Sequence, residues 1–180
     1  MKLIILDRDG VINEDSKHYV KSAREWQAIP GSLPAIARLN QNGYRVVVVS
    51  NQAGLAKKKL DITDLYEIHR KMLDHLSQYG GSIDAIFFCP HDQKENCQCR
   101  KPKTGLFKEI TKRLHLLSLT DVPVVGDKLS DIKAAQAAGA KPYLVRTGYG
   151  QDTLDNHKLP KTVPVFDNLA AVVDSLLPAD

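Results

Sequence analysis

Hydrophobic positions fall in short runs rich in β-branched residues, Leu3-Ile4-Ile5-Leu6, Val46-Val47-Val48-Val49, Ile86-Phe87-Phe88 and Val124-Val125. Longer segments lie between them, with apolar residues recurring at three- and four-residue spacing. Continuous apolar runs suit strands buried on both faces, as in a parallel sheet covered by helices. The pattern predicts strands over Leu3–Asp7, Arg45–Ser50, Ala85–Cys89, Val122–Gly126, Pro142–Arg146 and Val163–Phe166. It predicts helices over Ser32–Gln41, Thr63–Tyr79, Thr104–Leu114, Leu129–Ala138 and Leu169–Leu176, several closed by glycine, as at Gly43, Gly80 and Gly139. Leu65, Ile68, Met72, Leu73 and Leu76 mark a core face on the Thr63–Tyr79 helix. The stretch from Gly148 to Thr162 is polar and predicts a loop. With no repeat and no low-complexity tract, residues 1–180 read as one α/β domain, a Rossmann-like parallel sheet with helices on both faces.

Composition narrows the class. A chain of 180 residues that is 43% hydrophobic and 26% charged has enough apolar material for a sizeable core. Its formal charge of +4 is too small an excess to imply nucleic acid, and it suits an anionic ligand. Basic residues are scattered and only 6% of the chain is aromatic, so neither a nucleic-acid binder nor a nucleic-acid phosphatase finds a stacking platform here. No stretch approaches the ~20 apolar residues that cross a bilayer, and Asp7, Arg8 and Asp9 interrupt the first apolar run. The expectation is a cytoplasmic protein, compact enough to work as a monomer, with no membrane partner.

In an open parallel sheet, ligands bind beyond the carboxyl ends of the strands. Three strand ends carry polar groups: Asp7 and Asp9; Ser50-Asn51-Gln52; and Gly126-Asp127-Lys128, with Asp131 following. Taken singly, Ser50 or Asn51 reads as a turn residue, and Asp127 or Ser130 as a helix cap. Taken together they converge on one edge. Asp7, Asp9 and Asp127 supply hard oxygen ligands suited to Mg²⁺, which would neutralise clustered carboxylates and admit a phosphate beside them.

All three cysteines lie in C-P-H-D-Q-K-E-N-C-Q-C, Cys89 to Cys99. With His91 they offer three sulfurs and one nitrogen, the donor set of a closed, structural Zn²⁺ site in this 89–99 loop. Cys99 runs directly into Arg100 and Lys101, so zinc held by Cys89, His91, Cys97 and Cys99 would fix the backbone that aims both cations.

The runs D-R-D-G-V at 7–11, S-N-Q at 50–52, R-K-P-K at 100–103 and G-D-K-L-S-D at 126–131 resemble, in order and on the expected strand ends, the four motifs of haloacid dehalogenase-type phosphatases. The resemblance covers roughly residues 1–150. It implies that Asp7 is the nucleophile forming an aspartyl-phosphate and that Asp9 is the general acid and base. It further implies that Ser50 and the Asn51 backbone hold phosphate oxygens and that Lys101, with Lys103 as rival, supplies positive charge. Asp127 would bind Mg²⁺, with Asp131 orienting it from behind. The stretches from Asp7 to Ser50 and from Ser50 to Lys101 are mostly used by core helices, so no large cap domain fits, and selection falls to short loops.

Within that superfamily, the zinc loop, the absent cap and G-D-K-L-x-D resemble the branch that acts on a heptose bisphosphate in heptose synthesis. The histidinol-phosphate phosphatases share D-R-D-G, the zinc ligands and C-R-K-P-K, and are the competing branch. A phosphorylated sugar would meet Asp15, His18 and Tyr19 on one loop, and Asn51, Gln52 and Ala53 on another. Arg100 and Lys128 are the candidates for a second phosphate. The remaining histidines, His69, His75, His115 and His157, fall mostly on predicted helix surfaces or in loops and read as surface or packing residues.

Overall fold

The computed structural model describes residues 2–177. Its strands are β1 (Lys2–Leu6), β2 (Tyr44–Asn51), β3 (Ala85–Cys89), β4 (Pro123–Gly126), β5 (Lys141–Val145) and β6 (Val165–Phe166). Its α-helices are α1 (Ser32–Gln41), α2 (Ala53–Ala56), α3 (Ile62–Ser77), α4 (Gly105–Arg113), α5 (Leu129–Ala137), α6 (Gly150–Asn156) and α7 (Leu169–Leu176). The six strands form one parallel sheet in the order β3-β2-β1-β4-β5-β6.

The pleat divides the apolar runs between two faces. Ile4, Leu6, Val46 and Val48 share one core with Ile36 of α1, Leu65 of α3 and Val172 of α7. Leu3, Ile5, Val47 and Val49 pack instead with Phe107 and Ile110 of α4 and with Ala134 and Ala135 of α5. Leu3 to Leu6 and Val46 to Val49 are at most 4% exposed, and each such side chain contributes about 1.5–3 kcal/mol of burial. The centre of the sheet is therefore the fixed frame from which the loops at its carboxyl edge project.

The predicted boundaries shift little. Helix α3 begins at Ile62 because Asp61 accepts from the Asp64 amide (2.8 Å) while Asp64 accepts from the Asp61 amide (2.9 Å), a reciprocal capping box. The polar stretch expected as a loop contains α6. No apolar period announces this helix; it is tied down by Thr153, whose Oγ1 donates to the Asp127 carbonyl (2.8 Å). Gly150 also lies so close to the Val145 carbonyl that a Cβ would sit 1.6 Å from its oxygen. The one-turn α2 likewise had no signature in the sequence pattern.

Strand β1 has β2 on one side and β4 on the other, and the strand order runs outward from it in both directions. A crevice opens at such a switch point, and Asp7 and Asp127 leave the sheet there. Gly10 lets the chain turn at this edge, with φ of 86° and a position where a Cβ would come 2.2 Å from Asp127 Oδ2. Gly10→Ala should lower stability by about 1–3 kcal/mol from backbone strain alone and displace the Asp127 carboxylate. Urea unfolding checks the first effect, and weakened Mg²⁺ binding the second.

Candidate active site

Asp7 is the first residue beyond β1 and is 7% exposed. Its Oδ1 accepts from the Arg8 amide (2.8 Å) and lies 3.0 Å from the Lys101 ammonium. Lys101, 4% exposed, also reaches Asp131 Oδ1 (2.7 Å) and donates to the Val49 carbonyl (2.6 Å). An ammonium has three protons, and here three oxygens surround it. Asn51, at the end of β2, sets the backbone of Lys101: its amide nitrogen donates to the Lys101 carbonyl (3.1 Å) and its Oδ1 accepts from the Lys101 amide (3.0 Å). Lys103 turns away, donating to the carbonyl and side-chain oxygen of Asn96 (3.0 and 2.6 Å).

Oxygens of Asp7, Asp127 and Asp131 lie within 4.8 Å of one another, all buried. Burial pushes the Asp7 carboxyl up to about 6, with Lys101 opposing and Asp131 adding repulsion. Burial likewise holds Asp127 well above the usual carboxylate range; Lys128 opposes this, and Asp131 and Asp7 reinforce it. Asp127 Oδ2 accepts from the Tyr149 amide (2.8 Å), whereas its Oδ1 is buried without a hydrogen-bond partner among the described residues. An unpaired carboxylate oxygen beside two further carboxylates fits a hard divalent cation such as Mg²⁺. Asp131, expected only behind the site, brings an oxygen into this cluster while its Oδ2 accepts from the Lys128 amide (2.9 Å).

Asp9, expected among the cation ligands, places its carboxylate elsewhere. The Arg8 carbonyl accepts from the amides of Val11, Ile12 and Asn13, and this turn carries Asp9 away from the acid cluster. There Asp9 is gripped by Arg8 through Nε and Nη2 (2.9–3.1 Å), by Asn13 Nδ2 (2.9 Å) and by Gln52 Nε2 (2.9 Å). Burial opposes ionisation of Asp9, but Arg8, Asn13 and Gln52 outweigh it and hold the carboxyl below its usual range. Gln52 Nε2 also donates to Ser50 Oγ (2.7 Å), so Gln52 joins two strand ends. Arg8 was not singled out in the sequence; an arginine between two acids at the end of a buried strand is the signal that would have found it.

Above these groups lies a cleft of about 750 Å³ lined by Asp15, Tyr19, Gln52, Ala53, Arg100 and Lys128, among others. Lys128, expected to face a second phosphate, is instead paired with Asp15 (2.6 Å). Its ammonium also lies 4.9 Å over the Tyr149 ring, so its charge belongs to the acid-cluster end of the cleft. His18 does not join the cleft. The turn closed by the Tyr19 amide on the Ser16 carbonyl (3.1 Å) leaves His18 exposed, while Tyr19, in the left-handed region at φ 67°, lines the wall. Lys57 was not anticipated: its ammonium donates to the Tyr19 hydroxyl (2.8 Å) and lies 3.8 Å from Asp92. His69, grouped with the surface or packing histidines, is buried on α3.

The Cys89, Cys97 and Cys99 sulfurs stand 3.1–3.6 Å apart, and His91 Nδ1 lies 3.6 Å from Cys89 and 3.3 Å from Cys99. Bonds of about 2.3 Å to a central zinc would set such edges near ~3.8 Å, so the four donors already form a slightly contracted tetrahedral shell. Burial pushes the Cys89 and Cys99 thiols up. Cys97 is lowered to about 7: burial opposes this, but the Arg100 amide and the neighbouring thiols prevail. A dication would hold all three as thiolates.

A family model described as HAD-hyrolase-like matches residues 98–172. Over 177 residues, 98% of each chain, the sequence is 51% identical to the D-glycero-beta-D-manno-heptose-1,7-bisphosphate 7-phosphatase of Bordetella bronchiseptica. It is 47% identical over 171 residues to the phosphatase of the same name from Neisseria meningitidis serogroup A, covering 94% of this chain and 91% of that one. A crystal structure of D,D-heptose 1,7-bisphosphate phosphatase from B. bronchiseptica, complexed with magnesium and phosphate, is similar with a TM-score of 0.95, covering 98% of both chains.

Because the Asp7 carboxyl is raised, it favours the folded, metal-free chain below about 3.8, and that contribution is lost as pH rises through about 6. Mg²⁺ must displace the proton, so its affinity should rise with pH, being about tenfold weaker at pH ~5 than at pH ~7.5. Calorimetric titration at the two values tests this; a pH-independent affinity would remove these carboxylates from the cation site. Replacing Cys97 by serine should abolish zinc binding, lower the melting temperature and reduce kcat/KM about 10–100-fold. Metal analysis alongside kinetics checks it, and unchanged kinetics in a folded, zinc-free variant would confine zinc to stability.

Proposed function

The chain belongs to the D-glycero-beta-D-manno-heptose-1,7-bisphosphate 7-phosphatases within the haloacid dehalogenase-like hydrolases, and from that membership we propose that it removes the 7-phosphate of this bisphosphate through a phosphorylated Asp7. The observation that carries the reading is the buried Asp7–Lys101 pair, 3.0 Å apart, beneath a wide cleft lined by further cations. We take residues 1–180 as one phosphatase domain with the zinc loop inserted, acting in the cytoplasm as a monomer and binding neither nucleic acid nor membrane. No helix among the described residues is long and apolar enough to cross a bilayer.

Asp7 is oriented before substrate arrives, one oxygen being fixed by the Arg8 amide and Lys101. Its carboxylate attacks phosphorus; the bond from phosphorus to the sugar oxygen breaks, and that oxygen takes a proton from Asp9. Asp9 is held ionised in the free site, and a docked phosphate dianion works against that hold, moving the carboxyl toward the protonated form the first step needs. In the second step Asp9 takes a proton from water, which attacks the phosphorus and returns Asp7 as carboxylate with release of inorganic phosphate. Ser50 and the Asn51 backbone steady the phosphoryl oxygens, and Lys101 offsets their charge. Asp7, Asp127 and Asp131 would hold Mg²⁺, which supplies positive charge to the transferring group when bound.

The second phosphate of the substrate would lie against Arg100 and Lys57 toward the cleft mouth, since Lys128 is committed to Asp15. Asp15 and Tyr19 would meet sugar hydroxyls. Phosphate release from the heptose bisphosphate should exceed that from histidinol phosphate by 100-fold or more in kcat/KM, about 2.7 kcal/mol of discrimination, and Asp7→Asn should abolish both. The reverse preference would assign the chain to the amino-alcohol phosphate and leave the Asp7 chemistry standing.

A further inference from the structure

The side-chain nitrogen of Gln52 stands between two groups that the proposed reaction uses. It lies 2.9 Å from Asp9 Oδ2 and 2.7 Å from Ser50 Oγ. An amide nitrogen has two protons, and both are spent on these oxygens. A carboxylate offers only acceptors, so the nitrogen and not the carbonyl oxygen of this amide must face Asp9. Expected against the sugar, Gln52 borders the cleft but is only 5% exposed and keeps no amide proton for a ligand. Its backbone is anchored as well: the Gln52 amide donates to the carbonyl of Cys89 (2.8 Å), a zinc donor at the end of β3.

This nitrogen leaves each oxygen with a defined capacity. Ser50 Oγ accepts from Gln52, so its own proton cannot point there, and it has no other hydrogen-bond partner among the described residues. Ser50 is buried, and a buried hydroxyl with an unspent proton is a donor ready for an arriving acceptor. On Asp9, Oδ1 receives Arg8 Nε (3.1 Å), Arg8 Nη2 (2.9 Å) and Asn13 Nδ2 (2.9 Å), three donors on an oxygen with two lone pairs. Oδ2 receives Gln52 and a longer share of Arg8 Nη2 (3.1 Å). A proton that enters or leaves Asp9 therefore has more room on Oδ2.

We propose that Gln52 is a positioning residue whose one nitrogen fixes Asp9 Oδ2 as the oxygen that carries the proton of the reaction and turns the Ser50 hydroxyl toward the phosphoryl group. Oδ2 gives that proton to the departing sugar oxygen and takes one from water in the second step. Both oxygens lie within 3 Å of the same nitrogen, so a single atom sets the spacing between the proton donor and the phosphoryl donor. Through the Cys89 carbonyl the zinc loop reaches both of them. The role rests on the reading of Asp9 as acid and base and of Ser50 as a phosphate-holding group.

The test pairs kinetics with hydrogen positions. Gln52→Met keeps the volume and loses both protons, while Gln52→Glu keeps the shape and replaces the donor by an acceptor. Each should lower kcat/KM about tenfold for 4-nitrophenyl phosphate and about 100-fold for the heptose bisphosphate, because only the alkoxide leaving group needs the Asp9 proton as well as Ser50. Equal losses on the two esters would overturn the assignment. In a Ser50→Ala background, Gln52→Met should cost 4-nitrophenyl phosphate nothing further, yet still cost the bisphosphate about tenfold. Additive losses on 4-nitrophenyl phosphate would mark a packing role only and overturn it too. Gln52→Glu carries the same comparisons if Gln52→Met misfolds. Neutron diffraction should place the two Gln52 amide hydrogens on Asp9 Oδ2 and Ser50 Oγ, with the Ser50 hydrogen turned away from Gln52; an amide carbonyl facing Ser50 would overturn the proposal whatever the kinetics. Asp9→Asn and Ser50→Ala alone serve as references. If the first fails to separate the esters, or the second spares both, the underlying reading falls and the positioning role falls with it, while the hydrogen positions still decide the geometry.

Discussion

Three carboxylates enclosed with one ammonium at the junction of β1 and β4 constrain everything around them. Asp7, Asp127 and Asp131 are all buried, and Lys101 is the cation buried with them. Three negative charges against one positive leave a surplus that the interior cannot solvate. The upward push on the Asp7 and Asp127 carboxyls expresses that surplus in the metal-free chain. A dication held by Asp7, Asp127 and Asp131 would remove it and would offset the charge of a phosphate ester brought beside these carboxylates. The arrangement that is costly for folding is thus the one suited to holding a divalent cation.

Lys101 must arrive at this junction from outside the sheet, on a segment with no helix or strand of its own. Its position is over-determined instead. Asn51 holds its backbone from one side by two hydrogen bonds, and the Cys89, His91, Cys97 and Cys99 donors gather the chain immediately before it. Cys89 ends β3, which pairs with β2, so the zinc cluster and Asn51 are anchored to neighbouring strands of one rigid sheet. A metal far softer in its preferences than Mg²⁺ is therefore placed to act on the chemistry through the backbone, without touching the reactants.

The sheet was legible because its strands are uninterrupted apolar runs, and burial on both faces leaves no other reading for them. The carboxylates at the strand ends were legible for a related reason: Asp7 and Asp127 are costly where they stand unless something binds them. What escaped lies where long-range contacts override local pattern. Helix α6 has no apolar stripe and depends on Thr153 reaching the Asp127 carbonyl. The partners of long side chains also escaped: Lys128 was free in the sequence to meet a phosphate, but a folded chain brings Asp15 against it. Asp9 shows the same limit, since two residues of spacing from Asp7 do not reveal that the intervening Arg8 folds back onto it.

The cleft divides its cations into two groups. Lys101 and Lys128 are bound to carboxylates at the acid-cluster end of the cleft. Arg100 makes one long contact with the His91 carbonyl (3.4 Å), and Lys57 rests on a tyrosine hydroxyl with Asp92 at 3.8 Å. Such loose, solvent-screened pairs at a part-exposed mouth are worth little to the fold, and exchanging them for a phosphate dianion would be correspondingly inexpensive. A ligand with one phosphate would use only the inner pair. A bisphosphate would engage both, and its discrimination would then come from cations that contribute little to stability.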